Sequence, residues 1–461
     1  MGKKPATGRK LSAEAGSAAD PAFGYRAMPD IADEMVDTQG QVRPVWQGLL
    51  SAISRMTEQE LHDRFARADR YLRDAGVFYR AYGAQGSGER SWPISHIPVL
   101  IDEKEWQALE AGLIQRANVL EEVVADIYGE NRLVRDGCLP PALIAANPEY
   151  LRPLVGIKPV GGHYLHFCSF EVGRGPDGNW WVLADRTQAP SGAGFALENR
   201  VATTRAFSDI YAETHVHRLA SFFGAFRNTL QGGKHSAEDR IAVLTPGPAN
   251  ETYFEHAYIA RYLGFMLLEG EDLTVFNDRV MVRTVAGLKP VSVLWRRLDA
   301  SYADPLELNQ QSHIGTPGLV EALRAGSVSI VNALGSGILE TRALLSFMPT
   351  ICRHLLGEDL LMPSIATWWC GQQAEREHVA SNISRMVIGP AYSRLPFFDD
   401  NGQSVLGSTL RSSAKVSIAD WLNTDGAKLV GQEAVTLSTT PAIVNGKLTP
   451  RPMSLRVFAA R

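Results

Sequence analysis

Glu171 and Asp185 sit at the ends of neighbouring apolar runs, a spacing that suits a hard cation. Glu171 ends His166–Phe170, Asp185 ends Trp180–Ala184, and Gly173–Gly178 reads as the hairpin turn between them. Strand termini are where α/β proteins tend to carry sites. Two such acids fit Mg²⁺, which takes a few carboxylates together with phosphate oxygens. From these residues alone, two solvated strand-end acids account for the pattern equally well.

Other candidates divide in the same way. Arg296-Arg297 closes the apolar run Val291–Trp295 and suits bidentate grip of a carboxylate or phosphate. The alternative is a surface pair bonded to Asp299 or Asp304. Asn332-Ala-Leu-Gly-Ser-Gly, between a strand and a helix, offers backbone N–H groups to an anion or serves as a structural turn. It is neither a P-loop nor GxGxxG. His163 and His166 fall on opposite faces of an extended segment, and His215 and His217 lie in helical context, so none makes a good metal pair. Ser191, in Pro-Ser-Gly-Ala-Gly, lacks the nucleophile-elbow pattern. Trp368-Trp369-Cys370 reads as packing or as the wall of a pocket.

The elements that must position these residues are ordinary in composition. With 461 residues, 45% hydrophobic and 21% charged, the chain has room for several domains around sizeable cores. A formal charge of −4 gives no polyanion field, so nucleic acid is not an expected partner. The four cysteines stand far apart with no CxxC pair, which fits a reducing cytoplasm. No apolar stretch approaches the roughly 20 residues of a membrane span. The basic, polar N-terminus lacks the apolar core of a signal peptide and reads as a tail, with order beginning near Pro44.

Helices are expected at Leu61–Tyr71 and Glu103–Tyr128, the latter with Trp106, Leu109, Leu113, Ala117, Leu120, Val124 and Ile127 on one face. Residues 156–200 have strand-turn-strand texture, and Arg205–Thr229 reads as helix. From Arg240, short buried strands alternate with helices (Ile241–Thr245, Glu251–Leu263, Phe265–Leu268, Val291–Trp295, Gly318–Arg324, Val328–Val331, Ile338–Phe347), the signature of a parallel α/β sheet. Glu271–Val275 and Arg279–Arg283 form a hairpin about Asn277-Asp278. The last third carries strands Met386–Ile388, Leu429–Leu437 and Leu455–Ala459, a polar loop Phe398–Ser413, and a turn at Asn445-Gly446 joining the last two strands.

DRTQAPSGAGFALENR (185–200), TPGPANETYFEHAYIARYLGF (245–265), NALGSGILE (332–340), ATWWCG (366–371) and QEAVTLSTTP (432–441) resemble the circularly permuted ATP-grasp family, type 2. The likeness runs from about residue 21 to the C-terminus. It implies an α/β (α+β) fold: a circularly permuted ATP-grasp fold with a Rossmann-like preceding domain and an N-terminal helical region. The expected map is a disordered or extended tail at 1–40, a mainly helical region at 41–155, and a metal-bearing ATP-grasp half at 156–235. The Rossmann-like domain then covers 236–348, and the nucleotide-binding half 349–461. Residues 291–390 also resemble glutathione synthetase in element order.

The resemblance implies a cytoplasmic, ATP- and Mg²⁺-dependent carboxylate–amine ligase working through an acyl phosphate. Glu171, Asp185 and Thr187 match its metal ligands, with Asp and Thr in place of Glu and Asn. Gln432 and Glu433 match the nucleoside-binding hinge, and Arg456 a basic residue near the phosphates. Arg297 and Asn332 would orient a small-molecule or peptide acid or amine. Gly389 departs from the pattern, standing where the family has the phosphate-binding lysine; Lys415 and Arg394 are the candidate substitutes. The final strand stops at Arg461, where relatives usually extend it. These departures imply the alternative, a catalytically inactive ATP-grasp scaffold for a nucleotide or a partner, with an α-E protein or a transglutaminase-like protein as candidates.

Overall fold

A computed structural model describes residues 24–83, 86–394, 404–409 and 412–461. The N-terminal unit opens with helices Pro44–Ser54 and Glu58–Asp74, the second started by a reciprocal cap between Thr57 and Glu60. Trp46, Leu49, Ile53, Leu61 and Leu72 bury their apolar faces against Phe195 and Phe207. Order begins before Pro44. Tyr25 donates to Asp33, Glu34 donates its backbone N–H to Thr439, and Met35 is fully buried, so residues 24–43 are packed rather than a free tail.

Helix Glu103–Ile127 is the longest, and its apolar spacing is the reason it forms. Leu109, Leu113, Leu120, Val124 and Ile127 are buried as expected, whereas Trp106 is exposed at one end of the stripe. The helix backs a three-stranded antiparallel sheet in the order Leu455–Ala460, Phe167–Arg174, Trp180–Arg186. The last strand of the chain thus completes the sheet that carries Glu171 and Asp185. The Asn445-Gly446 turn lies elsewhere, joining Thr439–Val444 to Lys447–Pro452.

The central sheet runs Met266–Leu268, Arg240–Leu244, Gly287–Arg296, with Ser329–Val331 beyond, all parallel. The front half of Gly287–Arg296 pairs antiparallel with hairpin strand Arg279–Thr284, whose turn residues Asn277 and Asp278 have φ of 51° and 58°. The chain leaves Arg240–Leu244 for one neighbour and returns on its other side. The crevice between its end and that of Gly287–Arg296 is therefore the topological switch point.

A four-stranded antiparallel sheet of Thr367–Trp369, Leu429–Glu433, Met386–Pro390 and Val405–Leu406 completes the fold. Ile388 of this sheet packs in one apolar cluster with Cys370, Val379 and Leu422. Trp369 is buried and Trp368 stacks on His378, which settles that tripeptide as packing. The polar loop expected at Phe398–Ser413 lies largely outside the described residues.

Two expected helices are broken. Arg205–Thr229 is divided among Ala193–Ala206, Ser208–Glu213 and Ala220–Gly232, with His215 in the left-handed region between the last two. Ile338–Phe347 is replaced by two short 3₁₀ turns, Ser336–Glu340 and Arg342–Ser346, because Thr341 is extended and breaks the ladder. No helix among the described residues is long and apolar enough to cross a membrane.

Candidate active site

Strand register decides which side chains meet. Directly paired residues share a face, and neighbours along a strand alternate. Glu171 pairs with Arg456 on one side and Ala184 on the other, while Phe170 pairs with Asp185 and Ser169 with Arg186. Glu171, Arg186 and Arg456 therefore share one face of the three-stranded sheet, and Asp185 lies on the other. Glu171 Oε1 accepts from Arg186 Nε at 3.0 Å and from an Arg456 terminal nitrogen at 2.7 Å. Burial pushes the Glu171 carboxyl up, but the two guanidiniums outweigh it and hold it below the usual carboxylate range.

On the opposite face, Arg116 of the long helix grips Asp185 bidentately, Nε to Oδ1 at 2.6 Å and Nη2 to Oδ2 at 2.7 Å. The side chains are 0% and 2% exposed. Thr187 is also fully buried, its hydroxyl donating to the Ser336 carbonyl at 2.9 Å. Glu171, Asp185 and Thr187 thus lie on or beside neighbouring strands but are not aimed at one point. Among the described residues no group of three or more His, Cys, Asp or Glu side chains could hold a metal ion.

The Glu171 face opens on a junction of all three larger sheets. Arg394 follows the Met386–Pro390 strand and binds Glu149 at 3.0 Å and Asp299, beyond the end of Gly287–Arg296, at 2.9 Å. The Arg394 carbonyl accepts from Arg186. Buried Glu340 accepts the backbone N–H groups of Thr187 and Gln188 at 2.7 and 2.6 Å. Burial raises the carboxyls of Glu340 and Glu149, despite their arginine neighbours. Arg456 also donates to the Ser191 carbonyl at 3.0 Å, so the Pro190-Ser191-Gly192 turn forms one wall. Gly192 is needed there: its φ is 116°, and an added Cβ would lie 3.3 Å from the Phe458 ring.

Arg296 and Arg297 are buried, not a surface pair. Arg296 donates to the carbonyls of Asn332, Leu298 and Ala333, and burial pulls its guanidinium down to about 10. Arg297 lies at the switch point, its backbone N–H on Leu244 and its guanidinium on the Pro190 carbonyl at 2.8 Å. Glu255 stands 3.8 Å away and accepts from Gly192 and Gly194, at the start of helix Ala193–Ala206. Arg297 Nε and Nη1 are buried with no partner. Asn332 is a staple: its amide accepts from the backbone of His166 and Phe167 and donates to the carbonyls of Phe167 and Thr187.

On the four-stranded sheet, Gln432 donates to Thr367 at 2.9 Å and Glu433 pairs with Arg385 at 2.6 Å. Gly389 pairs with Val430 in the middle of Met386–Pro390. Lys415 lies on helix Ser412–Asp425, and its side chain is outside the described residues. Arg116, Glu149, Arg186, Glu255 and Glu340, all prominent here, carry no motif that singles them out in the sequence. Arg116 had left a signal, since it falls at core spacing between Leu113 and Leu120.

The family model for circularly permuted ATP-grasp type 2 proteins matches residues 98–461. An uncharacterized protein of Mycobacterium tuberculosis (strain ATCC 25618 / H37Rv) is 37% identical over 437 residues, 92% of this chain and 48% of the relative. The chain therefore spans about half the length of that relative. An uncharacterized protein of Synechocystis is 30% identical, covering 92% of this chain and 88% of its own. In fold, the chain is similar to a glutathione synthetase like-effector from Globodera pallida, with a TM-score of 0.55, 14% identity, and coverage of 88% of this chain and 90% of that one.

Proposed function

Because the chain belongs to the circularly permuted ATP-grasp family, type 2, we propose that it binds ATP where its three larger sheets meet and uses it to join a carboxylate to an amine. The observation that carries this reading is the convergence of Arg186, Arg394 and Arg456 from two different sheets on one partly open junction, with the last two side chains 29% and 40% exposed. Phosphoryl transfer needs positioning and charge neutralisation more than covalent help, and guanidiniums supply both. The γ-phosphoryl group would pass to a carboxylate oxygen, leaving ADP. The amine nitrogen would then attack the acyl carbon, expel phosphate and lose its proton.

In this reading Arg394 and Arg456 hold phosphate oxygens, and Gln432 and Glu433 flank the nucleoside. Arg297 becomes a positioning residue: with Glu255 it fixes the Pro190–Gly194 turn against the switch point. Asn332 does the same for the start of strand Phe167–Arg174. The residues expected to hold magnesium do not fit it as arranged, since Asp185 is taken by Arg116 and faces away from Glu171. No step is assigned to that ion.

A specific observation favours a second reading, a nucleotide-binding scaffold without turnover. Gly389 offers no charge, and Glu171 is already neutralised by arginines. A carboxylate- and amine-dependent release of ADP establishes the ligase. ATP binding by calorimetry with no ADP release from any acid–amine mixture leaves the scaffold, with an α-E or transglutaminase-like protein as its proposed partner. Failure to bind ATP at millimolar concentration overturns both.

A further inference from the structure

We propose that this junction holds the phosphate groups of its ligand on guanidiniums in place of a divalent cation, so that their binding does not require magnesium. The inference rests on the preceding reading that the junction takes a phosphate-bearing ligand. It deepens that reading by assigning the charge that neutralises the phosphates.

Strand register sets cations rather than further metal ligands beside Glu171. On the strand next to Glu171, the positions sharing its face are Ala184 and Arg186, so one carries no ligand and the other a cation. The nearest carboxylate in sequence, Asp185, is on the far face with both oxygens held by Arg116. A cation at Glu171 would meet a carboxylate on which Arg186 and Arg456 already converge at 3.0 and 2.7 Å, and Glu340, 4.0 Å from Arg186, has its Oε1 held by the backbone N–H groups of Thr187 and Gln188. Hard dications require several oxygens and are repelled by adjacent guanidiniums.

The opposite wall contributes a cation of its own. Arg394 reaches the same junction from the strand that carries Gly389, restoring on a longer arm the charge that glycine lacks. Its carboxylate partners are Asp299, 43% exposed, which phosphate oxygens would displace, and Glu149, 16% exposed, which would keep its hold on Nε. Arg186 and Arg456 each spend one donor on a backbone carbonyl, of Arg394 and Ser191 respectively. Those are neutral acceptors that a phosphate outcompetes. The planar forks of three arginines match tetrahedral phosphate oxygens.

The test is calorimetric titration of the full chain with ATP, once with millimolar Mg²⁺ and once with EDTA, and with tripolyphosphate in EDTA as a base-free probe. The expected result is ATP affinity equal within about twofold in the two buffers, weakened about tenfold or more in both by R456Q. Glu171→Gln is the discriminating variant. Removing a competing carboxylate tightens binding in EDTA, whereas a metal ligand's loss abolishes a magnesium-dependent component. A tenfold or greater gain in ATP affinity on adding Mg²⁺, lost in Glu171→Gln, overturns the proposal. Tripolyphosphate binding without ATP binding retires the ATP reading and keeps this one. Binding of neither in EDTA overturns it.

Discussion

The pair Arg116–Asp185 has a stability consequence that a metal ligand would not have. Both groups are withdrawn from water, so removing one leaves the other charged and without its counter-ion. Asp185→Asn is expected to lower unfolding free energy by about 3–5 kcal/mol, read from the urea midpoint. Replacing both partners by apolar residues, Arg116→Met with Asp185→Leu, should recover most of that loss. Equal destabilisation of the single and double variants would show that the pair is not what Asp185 contributes. Glu171 behaves differently: its arginines are partly solvated, and its substitution should move ligand binding more than stability.

At the scale of elements, the site depends on joints that hydrophobic periodicity does not report. Asn332 fastens the loop after Ser329–Val331 to strand Phe167–Arg174 and to Thr187 through four hydrogen bonds. Asn332→Ala strands those backbone groups in a buried setting and should cost roughly 3 kcal/mol or more. Amide exchange at His166 and Phe167, which donate to Asn332, should accelerate beyond that of the four-stranded sheet. Unchanged protection there would reject the staple. The long helix Glu103–Ile127 was legible because its apolar stripe repeats at helical spacing. The 3₁₀ turns at Ser336–Glu340 and Arg342–Ser346 were not, because Leu339, Glu340, Arg342, Ala343 and Leu344 are good helix formers and the extended Thr341 breaks the run.

Across the whole molecule, His166 couples stability to pH. Its ring nitrogens are buried without partners, and burial, with His163 and Arg461 adding positive charge nearby, pulls its pKa down to about 4. The folded state therefore prefers the neutral ring. The stabilisation is complete above the ordinary value near 6.5 and is lost as pH falls toward 4, a change of roughly 2–3 kcal/mol. His166→Phe should flatten the fall in stability between those pH values; an unchanged slope would place its origin elsewhere. The formal charge of −4 gives no hint of the proposed anion site, because a total hides three arginines gathered from distant parts of the chain.

By itself the sequence determined the family, the α/β alternation after Arg240 and the hairpin bearing Glu171. Local periodicity, turn residues and long matching strings are all written along the chain. Only the tertiary structure decided which side chains share a surface. A strand turns every second residue to the other face, so the register Glu171–Ala184 sends Asp185 away and brings Arg186 in. It also returned Leu455–Ala460 to pair with Phe167–Val172, putting Arg456 beside Glu171 across the full length of the permuted fold. Long-range pairing of this kind has no local signal, because the partners meet only after the chain has closed on itself.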